Sequence, residues 1–139
     1  MKKKYLIVVA DYYKDISEGL IKSALKIIPK KNIIKIIKVP GAFEIPVTIS
    51  KNIKKFDGFL ALGCVIKGQT PHFDFISQAS TDAIMKLSID NKKPIGNGII
   101  TSLNLQQAIQ RSGSDKSVLK KNKNKGKGKE ATKAVISVL

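Results

Sequence analysis

Arginine occurs once in this chain, at Arg111, histidine once, at His72, and cysteine once, at Cys64; tryptophan is absent. A single cysteine excludes an intrachain disulfide framework, and with one histidine it leaves no Cys/His metal cluster. No apolar run approaches the roughly 18 residues of a membrane-spanning helix. Acidic residues are also few, 10 against 26 basic ones, for a net charge of +16. Such a balance suits nucleic acid, a membrane surface or an anionic substrate. Base readout and bidentate phosphate recognition lean on arginine, however, and single-strand binding leans on aromatics, here 6% of residues. Lysine accompanied by many Ile and Asn residues reads as a compositional bias, so neither a nucleic-acid nor a membrane partner is expected. The start, Met1-Lys2-Lys3-Lys4 followed by Tyr5 to Ala10, resembles a signal peptide, but Asp11 interrupts the short apolar stretch. A buried first strand and a cytoplasmic, soluble protein are the expectation.

The 139 residues suit one domain, 1–139, and 42% hydrophobic content is enough for a core. Residues 4–10, 33–39, 58–66 and 94–101 read as strands, the first through the continuous apolar run from Tyr5 to Val9 and the second as a β-branched run. Ile16, Leu20, Ala24 and Ile27 recur at helical spacing, with Ser17 and Glu18 suited to the helix start and Pro29 closing it. Further helices are expected over 44–54, 72–91, from Thr101 or Asn104 to Ser112 with Gly113 just beyond, and over 129–139. Residues 114–128, rich in Lys, Asn and Gly, read as a mobile loop. Strands alternating with helices predict an α/β fold: a four-stranded parallel sheet with right-handed crossovers and helices on both faces.

In such a fold the strand-to-helix loops meet at the carboxyl edge of the sheet, where open α/β sheets bind ligands. The first loop brings Asp11, Tyr12 and Tyr13, the second Gly41 to Glu44, and the third Gly68 to His72. A stacking aromatic, a carboxylate, backbone amides and a histidine on one rim fit a flat polar heterocycle. Histidine, with an unperturbed pKa of roughly 6.5, is the side chain suited to proton transfer near neutrality. Spacing alone leaves plainer readings open: a hydrogen-bonded structural His72, a core Phe43, a helix-start acid at Glu44 and a solvated helix charge at Arg111.

Four segments change that balance. Val39-Pro40-Gly41-Ala42-Phe43-Glu44-Ile45-Pro46, Leu62 through Phe73, Gly98 through Gly113 with Gln107-Ala108-Ile109-Gln110-Arg111-Ser112-Gly113, and Lys127-Gly128-Lys129-Glu130-Ala131 follow one another in order. Together they resemble the motifs of the 6,7-dimethyl-8-ribityllumazine synthase family, transferases of the penultimate step of riboflavin synthesis. The resemblance implies a three-layer flavodoxin-like sandwich. The implied reaction is condensation of 5-amino-6-(D-ribitylamino)uracil with 3,4-dihydroxy-2-butanone 4-phosphate, with release of phosphate and water and with no metal or organic cofactor. It implies a homopentamer with active sites at subunit interfaces, and a product passed on to riboflavin synthase.

Carried over motif by motif, the resemblance assigns ring stacking to Tyr12, the ribityl and ring site to Ala42, Phe43 and Glu44, and pyrimidine-edge backbone groups to Cys64, Val65 and Ile66. It assigns the phosphate side to Gln69, Thr70, Arg111 and Lys127, with Arg111 supplied by the adjacent subunit, and proton transfer to His72. Lys125 is an alternative to Lys127 in the repetitive stretch before Glu130. Asn97 stands where many members place an aromatic in the neighbour's site, and Tyr12 replaces a more usual Phe or Trp. The loop over 114–126 is longer than in members that assemble into closed shells, which favours a free pentamer. The competing reading is a lumazine- or flavin-binding protein without catalysis on the same fold.

Overall fold

The computed structural model describes residues 2–68, 71–113 and 126–139. Strand β1 (Lys4–Ala10) is apolar almost throughout because it is an inner strand covered on both faces. Its alternate residues divide between two cores. Tyr5, Ile7 and Val9 join Leu60, Leu62 and Ile100 on one face; Leu6, Val8 and Ala10 join Phe59, Ala61 and Ile99 on the other. Helix α1 (Lys14–Ile27) covers the first face through Ile16, Leu20 and Ala24. Strand β2 (Ile33–Val39) then pairs with β1 at the edge of the sheet. A 3-10 turn (Ala42–Glu44) runs into α2 (Ile45–Asn52), which covers the second face. Its Ile45 and Ile49, one turn apart, are fully buried, worth roughly 1.5–3 kcal/mol each.

Strand β3 (Gly58–Ile66) lies on the other side of β1 and leads to α3 (His72–Asn91), again on the second face. Strand β4 (Ile95–Ser102), α4 (Leu105–Ser112) and α5 (Lys127–Val138) complete the chain, both helices on the first face. The sheet order is β2-β1-β3-β4 with every pairing parallel. This is the three-layer, flavodoxin-like α/β arrangement expected from the sequence.

Several boundaries differ from the pattern. Helix α1 begins at Lys14, so Ser17 lies inside it; its hydroxyl donates to Tyr13 O and Ala10 O, both at 2.9 Å, and ties the turn to the end of β1. The helix expected over 44–54 begins one residue later, after the 3-10 turn that takes up Glu44, and ends at Asn52. Strand β4 is one residue later than expected at both ends. At α4 the expected cap is present: Asn104 Oδ1 accepts from Gln107 N at 2.9 Å, Gln107 Oε1 accepts from Leu103 N, and Gly113 takes a left-handed φ of 78°. Of the loop expected over 114–128, residues 114–125 lie outside the described residues. Lys127 and Gly128 correct the remainder, because they form the first turn of α5 instead.

Glycine is the reason that turn packs. A Cβ at Gly128 would stand 2.6 Å from Leu20 O on α1, and one at Gly96 would stand 2.5 Å from Ala131 O on α5. The last helix therefore lies against α1 and β4 at a distance that only hydrogen side chains allow. Replacing Gly128 with Ala is expected to cost about 1–3 kcal/mol, read as a lower urea midpoint. Gly68→Ala, where nothing lies within 4 Å, is expected to stay within about 0.5 kcal/mol.

Candidate active site

The order β2-β1-β3-β4 places a topological switch between β1 and β3, and the crevice opens at their carboxyl ends. The two ladders of β3 stop at different points. Pairing with β1 ends at Val9–Leu62, whereas pairing with β4 continues through Ile66–Ser102. Cys64, Val65 and Ile66 thus have a strand neighbour on one side only. Their other side offers main-chain donors and acceptors in a fixed, strand-like row, suited to the edge of a planar heterocycle.

Below this row lies a groove of about 370 Å³ lined by Gly41, Ala42, Phe43, Glu44, His72 and Ile76. Phe43 and Glu44 also line a more apolar groove of about 510 Å³ that runs between α2 and α3 past Val47 and Ala83. Gly41 is extended, and a Cβ there would come 3.3 Å from Glu44 Oε1, so the carboxylate folds back over the glycine. Glu44 N donates to Gly41 O at 3.2 Å, and Thr48 Oγ1 donates to Glu44 O at 2.8 Å, which fixes the corner. Phe43 is 63% exposed. It forms part of the wall of both grooves, beside the Glu44 carboxylate. His72 is the first residue of α3 and is exposed, so its ring is available at the mouth of the groove.

The expected residues do not all meet. Tyr12 is 75% exposed at the rim and stacks edge-on against Tyr13, ring centres 4.8 Å apart, outside the residues that line the grooves. Gln69 and Thr70 lie outside the described residues. Asn97 sits mid-strand on β4, level with Ala61, where its Oδ1 accepts from Ile99 N at 3.1 Å. Arg111 is exposed in the last turn of α4, its Nη1 donating to Thr101 O at 2.8 Å. Lys127 opens α5, its Nζ 3.9 Å from Glu130 Oε2. Helices α4 and α5 pack on the first face and α3 on the second, so both cations stand across the sheet from the helix that carries His72. Ile76 was not singled out by the pattern, although its place four residues after His72 puts it on the same helical face.

On the first face, Cys64 packs near Tyr13 and Ser102. Burial pushes its thiol up to about 11, partly offset by a hydrogen bond with Ser102. Burial, with Cys64 and Tyr12 nearby, also raises Tyr13. The Cys64 side chain thus stays a neutral packing group, while its backbone has a strand neighbour on one side only. Among the described residues, no three His, Cys, Asp or Glu side chains gather as metal ligands.

The family model of 6,7-dimethyl-8-ribityllumazine synthase matches residues 2–139. The chain belongs to that family. It is similar to the 6,7-dimethyl-8-ribityllumazine synthase of Bartonella tribocorum, 42% identical over 132 residues that cover 91% of this chain and 83% of the relative. The synthase of Cutibacterium acnes is 36% identical over 138 residues, 98% and 80% of the two chains. That of Renibacterium salmoninarum is 35% identical over 133 residues, 94% and 84%. In this member of the lumazine synthase family, Phe43, Glu44 and His72 line one groove.

The raised thiol makes a direct expectation. Near pH 8, alkylation of Cys64 by iodoacetamide should be about a hundredfold slower than that of an unperturbed thiol, because so little is thiolate. The rate should climb about tenfold per pH unit until pH approaches 11. Mass spectrometry of the labelled chain reads both; a rate equal to a free thiol would disprove the burial account.

Proposed function

We propose that the rim crevice joins 5-amino-6-(D-ribitylamino)uracil to 3,4-dihydroxy-2-butanone 4-phosphate, forming 6,7-dimethyl-8-ribityllumazine with release of phosphate and water in riboflavin synthesis. The observation that carries this is the meeting of Phe43, Glu44 and His72 on one groove, beside the one-sided backbone row of β3. The aminouracil edge pairs with main-chain groups of Cys64, Val65 and Ile66. Its ring stacks on Phe43 or Tyr12, and Glu44 accepts from the ribityl hydroxyls beside Ala42.

The amino group of the uracil attacks the butanone carbonyl to give an imine. His72, at the mouth of the groove, accepts and returns protons during imine formation, phosphate loss and ring closure, a contribution of typically 10²–10⁴-fold. Much of the remaining acceleration comes from holding two reactants together. Gln69 and Thr70 take the phosphate on the His72 side.

Arg111 and Lys127 serve the phosphate from a neighbouring subunit. Their position across the sheet from His72 supports this arrangement, since one subunit's first face then completes the next subunit's crevice. Asn97 reaches the neighbour's ring site in the same way. A homopentamer closes such a head-to-tail contact into a ring. The product is consumed by riboflavin synthase.

Two variants test the roles. His72→Ala should lower kcat at least about tenfold, and Arg111→Ala should raise KM for the phosphorylated substrate or abolish turnover, both followed by lumazine absorbance. Co-expressing the two impaired variants should raise activity above that of either alone, because mixed rings contain sites with an intact His72 and an intact Arg111. No recovery in confirmed mixed rings would refute the shared site.

A further inference from the structure

Every strand is preceded by lysines. Lys2 and Lys3 lead into β1, which opens on Lys4; Lys30 and Lys31 precede β2, Lys54 and Lys55 precede β3, and Lys92 and Lys93 precede β4. Because the strands are parallel, all of these pairs lie at the amino edge of the sheet, away from the crevice at the carboxyl edge. Register aligns them: Lys4 is level with Ile33, Tyr5 with Gly58 and Phe59 with Ile95. At about 4.8 Å between strands, the row is about 14 Å wide, and lysine stems extend it further.

Local structure uses little of this charge. Lys93 Nζ donates to Ile53 O at 2.7 Å and Phe56 O at 2.9 Å, and Lys3 is half-buried. Asp57 Oδ2 accepts from the backbone of Lys4, and Asp90 is paired with Lys86 at 3.1 Å. The other seven lysines are exposed and in no salt bridge among the described residues. Helix-end charge does not account for them either, since α1 and α2 already carry Lys26 and Lys51 in their last turns.

The chemistry between the lysines selects the partner. The same edge exposes aliphatic side chains: Ile33 at 49%, Ile89 at 65% and Val138 at 72%. Its aromatics, Tyr5 and Phe56, are buried, and it has no arginine. Nucleic acid has no use for the aliphatics and gains neither stacking nor base readout here. A bilayer of anionic lipid uses both components, with lysines over the headgroup phosphates and aliphatics in the boundary beneath. Composition alone gave no reason to expect a membrane partner; the gathering of the lysine pairs at one edge does, and we infer that the amino edge of the sheet is a docking surface for an anionic phospholipid bilayer. Contact is peripheral, as no helix among the described residues is long and apolar enough to cross a membrane. The crevice at the far edge stays open to substrate while the protein is docked.

The test is flotation of the full-length protein with vesicles of phosphatidylcholine, alone or mixed with phosphatidylglycerol. Binding is expected to the mixed vesicles only, and to weaken as salt rises. Replacing Lys30, Lys31, Lys54 and Lys55 with Glu should weaken it about a hundredfold or more. An equal charge change at Lys22, Lys35, Lys38 and Lys133 should leave most of it. Thermal melting checks that both variants fold, and a Gln version of the first set replaces the Glu version if it does not. Equal losses from both sets, no binding to mixed vesicles at physiological salt, or displacement of the vesicles by a duplex DNA at equal phosphate would each overturn the inference.

Discussion

The parallel direction of all four strands constrains everything else in this protein. A parallel pair cannot be closed by a tight turn, so each connection must cross a face of the sheet, and the faces are buried in the process. Every connecting helix therefore starts at the carboxyl edge and ends at the amino edge. That polarity separates two kinds of surface. The carboxyl edge collects helix N-termini, the Phe43-Glu44 corner and His72; the amino edge collects helix ends and strand-leading lysines. One geometrical fact thus separates a polar crevice from a cationic border.

Within that frame, register shapes the crevice. β1 stops pairing at Val9 while β3 runs on beside β4 to Ile66. The overhang has one partnered and one open backbone edge, and it ends directly before the loop to His72. Gly41 then lets the Glu44 carboxylate fold back at the neighbouring corner. An open main-chain edge depends little on the side chains along it, so Cys64 can stand there as a half-buried, neutral thiol.

The two-faced sheet also divides the candidate site residues. Arg111 and Lys127 ride on helices of one face, and His72 and Glu44 belong to the other. The tight glycine contacts of α5 with α1 and β4 hold the first of these faces together, and with it the orientation of Lys127. Stability of that face and the placement of Lys127 are accordingly linked, and a change at Gly128 acts on both.

Much of this was legible in the residues. The uninterrupted run from Tyr5 to Ala10 marked a buried strand and the β-branched run from Ile33 to Val39 a second one, and Gly113 marked the end of α4, whose start the pattern left at Thr101 or Asn104. Gly128 was misread as loop because a glycine giving way to a neighbouring helix depends on a partner distant in sequence, here Leu20 on α1, which local propensity does not contain. Residue types and their order, by themselves, determined the α/β class, the family motifs and the chemistry available at Glu44, His72 and Arg111. Only the tertiary structure decided which of these share a groove, that β3 outruns β1, that Arg111 and Lys127 stand across the sheet from His72, and that the scattered lysine pairs form one edge. Those are matters of strand order and register, set by long-range pairing and packing rather than by any single stretch of chain.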